Sequence, residues 1–98
     1  MKIEFVDEAK NDLKDLTDKQ LKIIKNKIQD LKNNPIGHED SKLIQIQGRS
    51  IYRLEIKNKR GGEIDHRAIY DIESNKIRIY SIIYRESGYP DERIAERF

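Results

Sequence analysis

No cysteine occurs among the 98 residues, so neither disulfides nor thiolate metal sites can staple this chain, and an intracellular home is compatible with it. No apolar run approaches the roughly 20 residues needed to span a bilayer. The opening "MKIEFVDEAK" also lacks the apolar run of about 7 to 15 residues that a signal peptide needs. The expectation is a soluble, cytoplasmic protein that makes no membrane contact. Two histidines, His38 and His66, without cysteine or a carboxylate cluster do not make a metal site, and no metal or cofactor is expected. A glycine-rich phosphate loop is missing as well, because the double glycine of "RGGE" lies between strand patterns rather than before a helix. Residues 1–48, finally, contain no arginine.

Leu, Ile, Val and Phe fill 26 positions, above the roughly 20% below which a charged chain tends to stay disordered. At this length, residues 1–98 read as one domain with a modest core. The net charge of +2 hides an asymmetry, since all eight arginines lie from position 49 onward. Between Arg49 and Arg85 stand nine basic residues (Arg49, Arg53, Lys57, Lys59, Arg60, Arg67, Lys76, Arg78, Arg85) against five acids (Glu55, Glu63, Asp65, Asp71, Glu73). Arginine grips phosphate through two parallel hydrogen bonds, which suggests a bound polyanion. The plainer alternative is a set of solvated strand faces paired with those acids.

The chain opens with a short strand near Ile3 to Val6, after which Ala9, Leu13 and Leu16 form an apolar helical stripe that predicts a helix ending at Leu16. Thr17 and Gln20 have capping-box spacing and start a second helix with the stripe Leu21, Ile24, Ile28 and Leu31. "NNP", Asn33 to Pro35, stops it. From Leu43 the period changes to two: "LIQI", a turn at Gly48, "IYRLEIK", the "NKRGGE" loop, "IDHRAIYDI", the "ESN" turn and "KIRIYSIIY", a strand apolar enough to be interior. Parity places Arg53, Glu55 and Lys57 on one face of their strand and Arg67, Ile69 and Asp71 on one face of the next. The tail "DERIAERF" has room for two helical turns, with Asp91 placed to cap. The expected fold is α+β: N-terminal strand, two-helix hairpin, antiparallel meander, short C-terminal helix.

That order, with "IEFVDEAKNDLKDL", the entry from Leu43 to Gly48, "YRL" at Tyr52 to Leu54, Arg67 to Tyr70 as R-x-x-Y, and the "IRI" strand running from Ile77 to Arg85, resembles the RelE/ParE superfamily of small toxins from toxin–antitoxin pairs. The resemblance spans nearly the whole chain. It implies either of two activities: ribosome-dependent cleavage of messenger RNA by RelE-like members, or inhibition of DNA gyrase by ParE-like members. It also implies a cognate antitoxin partner and, for the RNases, the ribosome with its messenger RNA. The functional basic positions of those RNases fall on Arg53, Arg67 and Arg85, and their late tyrosine falls on Tyr89 after a shortened gap. Where they carry a second basic residue on the strand of Arg53, this chain has Glu55.

Cleavage of RNA without a metal requires the 2′-hydroxyl to lose a proton and attack its phosphate, while charge growing on the phosphate oxygens is stabilised. Arg53, Arg67 and Arg85 suit the second task. None of them suits the first, because a guanidinium keeps its proton. Glu55 can serve as the base and Tyr89 as the acid for the leaving oxygen; alternatively Glu55 is only the ion-pair partner of Arg67 across the hairpin. Arg85 shares the parity of Ile77, Ile79 and Ile83 and reaches the Arg67 face only if the strand ends or bulges first. His66 falls on the face opposite Arg67 and reads as packed, whereas His38 reads as solvated. Lys57, Lys59 and Arg60 of the hairpin and Arg78 of the last strand are candidate RNA-backbone contacts. The leading expectation is an endoribonuclease (mRNA interferase) acting by 2′-hydroxyl transesterification; the alternative is a non-catalytic binding protein of the same fold or a gyrase inhibitor.

Overall fold

A short parallel strand and an antiparallel meander form one five-stranded sheet, with helices and apolar packing on both faces. The structure, a computed structural model, describes residues 1–57, 65–84 and 91–98, with residues 91 and 92 described in backbone only. Strand β1 (Lys2–Phe5) leads into α1 (Asp7–Leu13) through an extended Val6. Asp7 and Glu8 sit in the first turn of α1, where their charge complements the helix dipole. The helix closes at Leu13, earlier than its apolar stripe suggests, because residues 14–16 tighten into i→i−3 bonding. Leu16 still packs against the core from that turn.

Helix α2 (Asp18–Asp30) starts as expected, on a complete capping box: Gln20 N–H donates to Thr17 Oγ1 at 3.2 Å and Thr17 N–H to Gln20 Oε1 at 3.0 Å. Ile24, Ile28 and, just past its end, Leu31 are buried against the sheet. The strands that follow are β2 (Ser41–Ile46), β3 (Arg49–Lys57), β4 (Asp65–Glu73) and β5 (Lys76–Tyr84), and helix α3 (Asp91–Ala95) closes the described chain. Sheet order is β1-β5-β4-β3-β2, with β1 parallel to β5 and the other neighbours antiparallel. The last strand is thus interior, as its apolar character predicts.

Two tight turns set the register. Gln47 and Gly48 both take positive φ (48° and 81°), as do Ser74 and Asn75 (48° and 64°), which is the twist a two-residue hairpin connection needs. On one face of the sheet Leu54, Ile56, Ala68, Tyr70, Ile77, Ile79 and Ile82 meet the two long helices. On the opposite, outer face Ile46, Ile51, Ile69, Tyr80 and Ile83 are covered by Ile94 of α3 and by Phe98. Helix α3 is a single turn rather than two, and the capping side chain expected of Asp91 lies outside those described.

One irregularity alters strand parity. Tyr70 pairs with Ile79 but Ile69 pairs with Ser81, so Tyr80 is an extra residue on β5. Ile77 and Ile79 therefore face the helices while Ile83 lies on the outer face, directly beside Arg67. The parity shared by Ile77, Ile79 and Ile83 in a regular strand is broken by this bulge; Arg85 itself lies outside the described residues.

Candidate functional site

On the outer face of β3, Arg53 and Glu55 stand two residues apart, and the β3–β4 register places Glu55 opposite Arg67. All three are half-buried, with side-chain exposures of 25%, 23% and 30%. A single oxygen, Glu55 Oε1, lies 3.4 Å from Arg53 Nε and 3.3 Å from Arg67 Nε. Neither approach has hydrogen-bond alignment, and Arg53 Nε, Arg67 Nε and Glu55 Oε2 are buried atoms without a hydrogen-bond partner. The cluster is thus held by charge rather than by directed bonds. Two guanidinium groups converge on one anionic oxygen and leave the second carboxylate oxygen as an acceptor without a donor. Ile83 flanks Arg67 on the β5 side.

The remaining sequence candidates divide by position. Lys57 is exposed at the end of β3, and Lys59, Arg60, Arg85 and Tyr89 lie outside the described residues. Arg78 is on the outer face but pairs with the opposite end of β4, at Asp71, four residues or about 13 Å from Arg67. There it contacts Glu73 (Nη1 to Oε2, 3.4 Å) and Glu4 (Nε to Oε1, 3.6 Å) and lies over the Tyr80 ring. It belongs to a second cluster that sequence reasoning missed. In that cluster Arg49 Nη2 lies 3.3 Å from Asp71 Oδ2 and 3.0 Å from Glu73 Oε1. Tyr80 donates its hydroxyl to Glu73 Oε1 at 3.0 Å. Burial and that bond push the Tyr80 phenol up, while the Tyr80 hydroxyl and the Arg78 guanidinium hold Glu73 below the usual carboxylate range. Alternation alone puts Arg49, Asp71, Glu73 and Arg78 on one face; their meeting required the register.

His66 is buried on the helix side of β4, as its parity predicts, with its ring against Tyr84 and Nδ1 lacking a hydrogen-bond partner. Burial pushes its pKa below the ordinary value. His38 is half-buried rather than solvated, since its Nδ1 accepts the Asp40 N–H at 3.1 Å.

Residues 3–89 match the family described as "ParE toxin of type II toxin-antitoxin system, parDE". The chain belongs to this family of toxins, within the RelE/ParE superfamily. Solved structures agree in fold. A mutant of the E. coli toxin RelE in the free state is 14% identical with a TM-score of 0.67, over 98% of this chain and 90% of that one. A chain of the YoeB–YefM complex from Staphylococcus aureus is 22% identical with a TM-score of 0.64, covering 87% and 97%. The archaeal RelE–RelB complex from Pyrococcus horikoshii OT3 gives 18% identity and a TM-score of 0.65 over 88% and 96%. No curated protein sequence matches this toxin. Among the described residues, no helix is long and apolar enough to cross a membrane.

Proposed function

We propose that this type II toxin is a ribosome-dependent endoribonuclease that cuts messenger RNA by attack of a 2′-hydroxyl on the adjacent phosphate. The observation that carries the reading is the single Glu55 oxygen set between the Nε atoms of Arg53 and Arg67, 3.4 and 3.3 Å away. Two guanidinium groups that converge on one anionic oxygen are suited to a phosphate oxygen at the same place. In the proposed reaction the 2′-oxygen bonds to phosphorus, the bond to the 5′-oxygen breaks, and a 2′,3′-cyclic phosphate forms. Glu55, displaced from the two guanidinium groups by the incoming phosphate, turns its carboxylate to the 2′-hydroxyl and takes that proton. Arg53, Arg67 and Arg85 stabilise the phosphate charge, and Tyr89 returns a proton to the leaving 5′-oxygen. Lys57, Lys59, Arg60 and Arg78 are proposed to contact RNA backbone, with Arg78 exchanging its present carboxylate partners for phosphate.

A second reading is favoured by the family description itself and by Glu55 in a position where the RNases are basic: a ParE-like gyrase inhibitor or a binding protein of this fold that does not cut. The two separate in vitro. Purified toxin added to ribosomes stalled on a defined message is expected to cut within the decoding site, while gyrase supercoiling proceeds unimpaired. Blocked supercoiling with an intact message would establish the second reading. The proteins of similar fold include toxin–antitoxin complexes. A cognate antitoxin with an acidic and apolar segment is accordingly proposed to cover the Arg53–Arg67 face. Expression of the toxin alone is expected to arrest growth, and its neighbouring gene to relieve the arrest.

A further inference from the structure

Strand β1 accompanies β5 only as far as Phe5, opposite Ile79, with Val6 N–H still donating to Ile79 O at 3.0 Å. Beyond that point β5 meets side chains in place of a strand, and this is where the Tyr80 bulge sits. Asp12 of α1 accepts the Ile82 N–H on Oδ2 at 3.0 Å. Arg97, past the end of α3, donates from Nη1 to Tyr80 O at 3.1 Å and to Ser81 Oγ at 3.0 Å. The two side chains also join each other, Nη1 to Oδ2 at 2.7 Å and Nη2 to Oδ1 at 3.4 Å, and are only 11% and 15% exposed.

A bulge in an interior strand leaves backbone groups outside the ladder, and such groups persist when buried only if something else satisfies them. Here one ion pair, contributed by segments 85 residues apart, satisfies the carbonyl of the bulged Tyr80 and the N–H of Ile82 two residues on. Without the extra residue the pairing would slip by one, and a slip of one turns every later side chain to the other face. Ile82 would then stand beside Arg67 in place of Ile83, and Tyr84 would leave His66 for the Arg67 face.

We infer that Asp12 and Arg97 are positioning residues for the anion site: by holding the bulge they decide which side chains of β5 flank Arg67. Their described bonds run to β5 and to each other. The functional half of the inference rests on Arg53 and Arg67 as the phosphate grip proposed above.

The test combines solution NMR of cross-strand contacts with the affinity of the full chain for a short RNA made non-cleavable by 2′-O-methylation. Wild type is expected to show Arg67 opposite Ile83. In Arg97→Ala the contact moves to Ile82, Ile82 N–H exchanges faster, and RNA affinity falls about tenfold or more. Arg97→Lys restores both in part, since an ammonium can still reach Tyr80 O and Asp12. Ile24→Val, which loosens the far core, is the control for stability alone and moves neither. Should Arg97→Ala fail to fold, Asp12→Asn carries the measurement, because it keeps an acceptor for Ile82 N–H but loses the charge that holds Arg97. A register left at Ile83 in the variants overturns the inference, and so does a shifted register with unchanged RNA affinity. A wild type that does not bind this RNA overturns it together with the phosphate grip. A wild type that binds RNA but never cuts ribosome-bound message refutes the proposed catalysis and leaves the inference standing.

Discussion

Glu55 is the residue on which the proposed chemistry turns, because one of its oxygens lies between two arginines at the place proposed for a phosphate oxygen. In the proposed role of base, Glu55→Gln loses proton acceptance while keeping its size, so cleavage should fall about 10²-fold or more with ribosome binding preserved. Arg67→Ala should lower cleavage by about 10² to 10³ through the missing donor. Single-turnover assays on stalled ribosomes measure both, and a Glu55→Lys variant more active than wild type would remove Glu55 from the base role. His66 gives a prediction in pH. Its folded pKa lies below the ordinary 6.5 because burial disfavours the charged ring. The unfolded chain therefore takes up the proton first, and stability present above about 6.5 is lost as pH falls below it, by up to about 1.4 kcal/mol per unit. Urea midpoints should be lower at pH 5 than at pH 7.5, and His66→Phe should reduce that difference; an equal drop in the variant would assign it to the carboxylates.

Among the elements, the two-residue turns decide where β3 and β5 begin and hence who faces whom. Gly48 holds φ at +81° with open space around the position of a Cβ, so a side chain there meets backbone strain alone. Gly48→Ala should cost about 1 kcal/mol, read as a lower denaturation midpoint with unchanged m value. A loss well beyond that would mean that the register of β2 had moved as well. The segment between β3 and β4 carries an expectation from its proposed RNA contacts. Changing Lys57, Lys59 and Arg60 to glutamine should flatten the log–log dependence of RNA binding on salt by about 2 to 3 units, since each contacted phosphate releases a counterion. An unaltered slope would take these three residues out of the interface.

At the scale of the whole molecule the sheet is packed on both faces, and the outer packing depends on the chain end. Ile94 is 4% exposed against Ile46, Ile51, Ile69, Tyr80 and Ile83. Ile94→Ala should cost about 2 to 4 kcal/mol, because the lost contacts leave a cavity that β strands cannot easily close. Thermal or chemical denaturation checks this, and a cost below about 1 kcal/mol would show that α3 contributes little to the outer core. Phe98 adds to the same closure, with its ring edge-on to Tyr80 and under the Arg49 guanidinium at 4.6 Å.

Helix stripes, a capping box and alternating strands are local patterns, so the type and order of the elements, though not every boundary, could be read from spacing: Thr17 with Gln20, and Arg53 with Glu55, needed nothing more. Alternation also put Arg67 on a strand face away from His66, and the structure bears that out. The bulge at Tyr80 was not legible. In "IYSII" both faces are apolar or small, since Ile79 to Ile83 are all buried, and a phase shift leaves no trace in a pattern that does not alternate. Nor could local spacing pair Asp12 with Arg97, or set Arg49 among Asp71, Glu73 and Tyr80. Those meetings depend on strand order and register, which long-range packing alone decides.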